Sequence, residues 1–405
     1  MDFRQRLRGV PWDALDIDAA PPALAAVLSG APAEREVERV LRANRGFSGE
    51  QRRAMAEAIF GVGLWRRRLA WQARLDFTRL YIGAPAPHPM AILSAGSDIP
   101  LILLACLIRD LAFAPLAPRL AIHAPPPRDG EPPRLADRWS LPDWLEAVLE
   151  RELGDPDAFC AAVATPGPVC LRANRLLNAR DELAAALRFE GIETRPALRA
   201  PDALVVETPQ ANLFGCAAWR EGRFEPQDEG SQLLGSLVEP APGDTVLDLC
   251  AGAGGKSLLL AAQGARVFAH DIDAEKLTRL RARARRARAD AAIEIVPAPR
   301  FADRVLIDAP CSELGALRRG PDLRWRLQPD PSFPKAQRAL LETAAPLARE
   351  RLVYATCTLT RAENEEVAEE FEQAHTEFRR ARELWRVLPH TDGTDGFFAA
   401  VWDRR

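Results

Sequence analysis

The sequence predicts an α/β protein: a doubly wound parallel sheet in the C-terminal part, a small α/β unit before it, and an all-α N-terminal region. Three observations predict this. Short apolar runs at 246–249, 266–270, 305–307 and 352–355 alternate with helical segments, as strands and crossovers of a parallel sheet do. A strand, a glycine-rich turn and a helix start follow one another from Asp244 to Ser257. A length of 405 residues exceeds one ordinary domain and allows two or three, each with its own core.

The N-terminal stretch, to about residue 112, reads as mostly helical. Val37, Val40 and Leu41 follow helical spacing, and Ile59, Val62, Leu64 and Leu69 do so in the next segment. Ser48 suits the N-cap of that second helix, with Gln51 three residues on completing a capping box. Five prolines between His123 and Pro133 exclude a regular helix or central strand and mark a linker or long loop. Beyond it, 145–153 and 181–189 read as helices, and 170–174, 193–197 and 203–207 as short strands, in a unit that ends near Pro240. Residues 397–402 read as a final edge strand. The predicted partition is 1–135, 136–240 and 241–405.

Composition narrows the function. The chain is 47% hydrophobic and 27% charged and has no apolar run long enough to span a bilayer. Its first residues lack the basic-then-apolar layout of a secretory leader, so a cytoplasmic protein with no membrane partner is expected. Seven scattered cysteines, none in CxxC spacing, and five unclustered histidines point to neither a disulfide framework nor a metal site. A net charge of −3 does not advertise nucleic-acid binding. Lysine occurs only at 256, 276 and 335, which makes Lys256 more informative than any single arginine.

The loop Asp248-Leu-Cys-Ala-Gly-Ala-Gly-Gly-Lys-Ser257 is the first candidate site. Its glycines allow close backbone approach, and the following helix start offers free N–H groups. Asp271, about 20 residues beyond Gly252, ends the next strand, where a carboxylate can accept both ribose hydroxyls of a nucleoside. The dinucleotide pattern GxGxxG fails, because Ser257 stands at its third glycine, and the spacing of a P-loop is also absent. A plain tight turn in a sheet is the competing reading of the glycines alone.

Two further motifs sit just past strands: Asp308-Ala-Pro-Cys-Ser312 and Tyr354-Ala-Thr-Cys357. Both loops are expected to open on the edge that carries the glycine loop. Cys106, Cys160, Cys170 and Cys216 read as buried small hydrophobes. Cys311 and Cys357 differ in ending apolar strands at the presumed ligand edge. Two thiols there suit methylation of C5 of a cytosine. A thiolate adding to C6 turns the ring into an enamine, whose C5 attacks a sulfonium methyl; loss of the C5 proton and of the thiolate completes turnover. A free thiol titrates near 8.5, so the nucleophile needs a cationic or helix-terminus setting. Asp308 could act as the acid near N3 if held protonated or hydrogen bonded, and the base must leave any stack to be reached.

These segments resemble the catalytic and cofactor motifs of the Sun/Nop RNA cytosine-5 methyltransferases. Glu363-Asn-Glu365, Gln227-Asp-Glu-Gly-Ser-Gln232, Leu171-Arg-Ala-Asn174 and Gly393-Thr-Asp-Gly-Phe-Phe-Ala399 add to the likeness, which runs from about Ser140 to the C-terminus. The resemblance implies a Rossmann-like class I methyltransferase domain behind a small RRM-like unit. The N-terminal helices look like the NusB-like RNA-binding domain of the Sun (RsmB) branch, which methylates small-subunit ribosomal RNA. It also implies roles. Cys357 would be the nucleophile and Cys311 would assist product release. Cys250, Ala251, Gly252, Ala253, Gly254, Gly255, Lys256 and Asp271 would hold S-adenosylmethionine, with Asp308 between cofactor and base. The implied partner is ribosomal RNA, met by a monomer without metal.

Two departures stand out. The family's acidic residue after the third strand falls at Pro297 or Ala298, so either Asp303 substitutes or cofactor affinity is lower. The family's Ser-Gly-Thr-Gly is Ser312-Glu-Leu-Gly315 here, with an unexpected acid at Glu313. The arginines at 279, 281, 283, 285, 286 and 288 read as a solvated helix surface, with phosphate contact as the alternative. Arg318, Arg319, Arg324 and Trp325, which follow Cys311 closely, are the RNA-binding candidates. A DNA cytosine-5 methyltransferase, which would use the Pro-Cys thiol, and an RNA-binding assembly factor with weak or lost activity are the alternatives.

Overall fold

The computed structural model describes residues 3–76, 98–209, 211–320 and 323–405. Residues 77–97 of the predicted helical stretch lie outside them. The chain divides into two compact units, Met1–Pro166 with Leu317–Pro329, and Gly167–Ala316 with Asp330–Arg405. No helix among the described residues is long and apolar enough to cross a membrane.

The first unit is helical. Its longest helix, Gly49–Gln72, starts at the predicted capping box: Ser48 Oγ accepts from the Gln51 N–H, and Gln51 Oε1 accepts from the Ser48 N–H. Met55, Ile59, Val62 and Leu69 of this helix enter one core with Leu24 and Val27 of Pro21–Leu28 and Leu103 and Leu104 of Ile99–Cys106. Burying each such side chain contributes about 1.5–3 kcal/mol. Residues 136–166 group with these helices rather than with the chain that follows. Arg67 is one reason. Its buried guanidinium donates to Asp137 (2.6 Å), Asp143 (2.8 Å) and the Leu141 carbonyl (2.9 Å), so the charge is compensated on every side.

The second unit holds two sheets. In the smaller, strands β1 (Cys170–Ala173), β2 (Thr194–Pro196), β3 (Ala203–Val206) and β4 (Phe224–Pro226) pair antiparallel in the order β2-β3-β1-β4. Leu183 and Leu187 of the helix Arg180–Phe189 pack into its core with Leu171, Leu204 and Phe224. In the larger, β5 (Thr245–Asp248), β6 (Arg266–Ala269), β7 (Ile293–Ile295), β8 (Ala302–Asp308) and β9 (Ala348–Thr356) are parallel in the order β7-β6-β5-β8-β9. Both faces are buried. Val353 and Ala355 enter one layer, while Leu352 and Tyr354 enter the other, which is why these strands read as continuous apolar runs.

The last strand departs from expectation. β12 (Phe397–Arg404) is not an edge: it pairs antiparallel with β9 on one side and with β10 (Phe378–Arg380) and β11 (Trp385–Val387) on the other. Those two covering strands are three residues long and carry arginines, so they leave no apolar run to read. Burial of Phe398, Val401 and Trp402 at 1% exposure or less fits the interior position.

Candidate active site

The parallel register brings three loops to one edge of the large sheet. β5 has β8 on one side and β6 on the other, and β8 pairs next with β9, with Asp308 opposite Ala355. The glycine loop leaves β5, Asp271 follows β6, Cys311 follows β8 and Cys357 follows β9. Ligand sites of such sheets lie beyond the carboxyl ends of the strands.

The glycine loop is shaped by backbone that side chains resist. Gly252 (φ +54°) and Gly254 (φ +88°) are left-handed, and a Cβ on Gly254 would meet Leu280 at 2.7 Å. Asp271 holds the loop from β6: one carboxylate oxygen accepts the Gly252 N–H (2.8 Å) and the other the Asp273 N–H (2.8 Å). Lys256 donates to Asp308 across the two loops (2.5 Å). Cys250 is partly buried, and burial plus the carboxylates of Asp248, Asp308 and Asp271 push its thiol up, so it packs as a neutral group.

Asp248 is the strained member. It is 1% exposed, accepts from Ser257 Oγ (2.6 Å) through one oxygen, and leaves the other without a partner. Burial raises its carboxyl from 3.8 to about 7; Ser257 and Lys256 oppose the rise, and Asp308 and Asp271 add to it. Between those two values the folded protein binds a proton that the unfolded chain has released. Stability is therefore lost as pH rises from about 4 to about 7. Asp248→Asn, which stays neutral, is expected to be the more stable protein at pH 8 by on the order of 1–3 kcal/mol. Its advantage should vanish at pH 4. Melting curves across that range with an advantage that does not grow with pH would refute it.

The two thiols come together. Cys311 Sγ and Cys357 Sγ lie 3.5 Å apart, and the Cys357 N–H points to Cys311 Sγ at 3.4 Å. The bond shared with Cys357 and burial hold the Cys311 thiol well above its ordinary value. Cys311 is thus kept as a neutral thiol, able to give or take a proton, while Cys357 is the more exposed sulfur.

A buried carboxylate, which the sequence reading quoted without assigning it a role, fixes both cysteine loops. Glu363 accepts from the Ser312 N–H (3.0 Å), Ser312 Oγ (2.5 Å), Gln337 Nε2 (3.0 Å) and Thr360 Oγ1 (3.0 Å). Asn364 accepts from Thr356 Oγ1 (2.6 Å) and donates to the Thr358 carbonyl (3.2 Å). Past Cys311 two backbones cross: the Gly315 N–H donates to the Cys357 carbonyl (2.9 Å), and a Cβ on Gly315 would sit 2.2 Å from the Gly396 oxygen.

With this geometry, comparison with known proteins is decisive. Residues 236–403 match the family described as 16S rRNA methyltransferase RsmB/F, and residues 141–212 match the RsmF/B-like ferredoxin-like domain. A Synechocystis protein named probable ribosomal RNA small subunit methyltransferase B is 32% identical over 307 residues, 67% of this chain and 68% of its own. This chain belongs to the Sun/RsmB family. The ribosomal RNA small subunit methyltransferase B of Thermus thermophilus is 35% identical over 65% of each chain. The chain spans about two thirds of the length of these relatives. Solved structures share the fold. PH0851 aligns over 98% of this chain and 99% of its own, with TM-score 0.75 and 23% identity. NSun6 from Pyrococcus horikoshii with SFG aligns over 65% of this chain and 98% of its own, with TM-score 0.58 and 18% identity.

The departures from the Sun/RsmB pattern now have physical content. Asp303 does not replace the missing acid near Pro297. It lies near the start of β8, at the opposite end from the site, and accepts from the Thr245 N–H (2.9 Å) and Thr245 Oγ1 (2.6 Å). Glu313 occupies a glycine position of the family at φ +58°, which costs an L-residue roughly 1–2 kcal/mol. Arg324 and Trp325 correct the sequence reading, because both are buried in the first unit. Arg324 donates to the carbonyls of Trp139 (2.9 Å) and Val163 (3.2 Å), and the Arg66 guanidinium lies 5.0 Å from the Trp325 ring centre. Neither offers a surface to RNA. In the arginine-rich helix Ala274–Arg286, Arg279, Arg281 and Arg285 are exposed, as is Arg288 just beyond it, while Arg283 and Arg286 pair with Glu225.

Proposed function

We propose that this protein transfers a methyl group from S-adenosylmethionine to C5 of a cytosine in small-subunit ribosomal RNA, through addition of Cys357 to C6. The carrying observation is the thiol pair, 3.5 Å apart at the ends of adjacent parallel strands, beside a nucleoside-type loop. The residues fit the cofactor. Gly252 and Gly254 leave room for close approach, and Asp271 keeps lone pairs for ribose hydroxyls. Ile272, 98% exposed beside it, offers an apolar surface to an adenine. When bound, S-adenosylmethionine supplies an electrophilic methyl group.

The chain's own groups do the rest. The Cys357 thiolate adds to C6 and makes C5 nucleophilic; after transfer the C5 proton leaves and the C6–S bond breaks. Cys311, held neutral against Cys357, assists that last step. Asp308, fixed by Lys256, sits at the strand end from which it can meet the base edge. Arg318 and Arg319 contribute phosphate contacts. Functionally the chain reads as an RNA-binding segment (1–135), a small α/β unit (136–240) and a methyltransferase segment (241–405), acting as a monomer in the cytoplasm.

Incubation with methyl-labelled cofactor and either total RNA or DNA tests this. Label is expected in RNA and, after digestion, in 5-methylcytidine. Label in DNA supports the rival DNA enzyme, and RNA binding without label supports an assembly factor.

A further inference from the structure

The glycine loop is held from below as well as by Asp271. Its Ala253 carbonyl lies between the two left-handed glycines, and Arg283 of the helix Ala274–Arg286 donates to it at 2.8 Å. The same guanidinium reaches Glu225 on β4 of the small sheet at 2.8 and 3.2 Å. Glu225 is almost wholly buried and also pairs with Arg286, whose guanidinium lies over the Trp219 ring. Its cross-strand neighbour on β1 is Arg172, equally buried, which makes a long contact with the Gly255 carbonyl (3.4 Å). A dry carboxylate among three guanidiniums fixes their directions, because no water competes for the donors. Two more backbone ties join the same elements. Asn174 Nδ2 donates to the carbonyls of Gly222 (2.9 Å) and Ala287 (2.8 Å), and a Cβ on Gly222 would lie 1.9 Å from the Arg286 oxygen.

We infer that the small sheet positions the cofactor loop, with Glu225 orienting Arg283 and Arg283 fixing the Ala253 carbonyl so that the loop is preformed for S-adenosylmethionine. The inference rests on the cofactor reading above. It gives the small sheet a task besides contact with RNA: the guanidinium fork spans a strand of one sheet and the ligand loop of the other. A loop held in its binding conformation pays no ordering cost when the ligand arrives.

Arg283 and Arg286 separate positioning from mere stability, since both neutralise Glu225 and only Arg283 touches the loop. Arg283→Gln is expected to raise KM for S-adenosylmethionine about tenfold, the size of one charged hydrogen bond. KM for RNA and kcat at saturating cofactor should stay near the wild-type values. Amide exchange at Gly252 to Lys256 should quicken. Arg286→Gln should lower the melting temperature but leave the cofactor KM within about twofold, since it loses no bond to the loop. If Arg283→Gln does not fold, Arg283→Lys keeps the ion pair but cannot fork to the carbonyl, and the same selective rise is expected. Equal cofactor effects in the two positions, or no effect at Arg283, would overturn the inference. Wild-type protein that binds no cofactor by calorimetry would instead overturn the cofactor reading, and the inference with it.

Discussion

Cys357→Ala is expected to abolish methyl transfer and to form no covalent complex with RNA, whereas Cys311→Ala is expected to accumulate one. The two sulfurs are near neighbours, so position alone does not tell them apart. Their surroundings do. Cys311 is buried and held neutral by the bond it shares with Cys357, which suits proton exchange and opposes nucleophilic attack. Cys357 is the more exposed, and its loop is braced by the contacts of Asn364 with Thr356 and Thr358. Without Cys311 the attack on C6 and the transfer can proceed, but the last proton step slows and the C6–S bond persists. A denaturing gel after reaction should show a slow, nuclease-sensitive band for Cys311→Ala. That band should be absent for Cys357→Ala and for the double variant. An adduct that needs Cys311 and survives loss of Cys357 would assign the nucleophile to Cys311 and support the DNA-type arrangement.

The parallel sheet was legible because its central strands are buried on both faces, so 246–249 and 352–355 stand out as apolar runs between turn signals. β10 and β11 were not, since three-residue strands such as Trp385–Val387 with a central arginine carry no period to read. The cysteine motifs were legible because chemistry-bearing residues directly followed such runs. Arg324 and Trp325 misled for a definite reason. Sequence cannot show that a guanidinium will find two carbonyls from helices about 160–185 residues away and become core. The bond between Glu225 and Arg283 is hidden in the same way: 58 residues separate partners that meet only because β4 lies against the helix after β6. In the arginine-rich helix the sequence offered a solvated face or a phosphate site. The structure splits the set, with 283 and 286 turned to Glu225 and the rest exposed.

Asp271→Ala is expected to weaken S-adenosylmethionine binding by well over tenfold. The carboxylate has two tasks. It accepts the Gly252 and Asp273 N–H groups, which fixes its own orientation and ties the glycine loop to the end of β6. An ionised carboxylate has about four acceptor positions, so two remain for a vicinal diol. Charged hydrogen bonds contribute about 1.5–3 kcal/mol each, which corresponds to roughly ten- to a hundredfold in affinity. Alanine removes both the diol contact and the loop tie. Asp271→Asn separates them: its amide oxygen still accepts the Gly252 N–H, while its NH2 faces hydroxyls as a donor without charge. Affinity should therefore fall in the order wild type, Asn, Ala, with melting temperatures that differ little, because the residue lies at the surface end of the strand. Calorimetry showing equal affinity for Asp271→Ala and wild type would remove Asp271 from the site and, with it, the nucleoside reading of the loop.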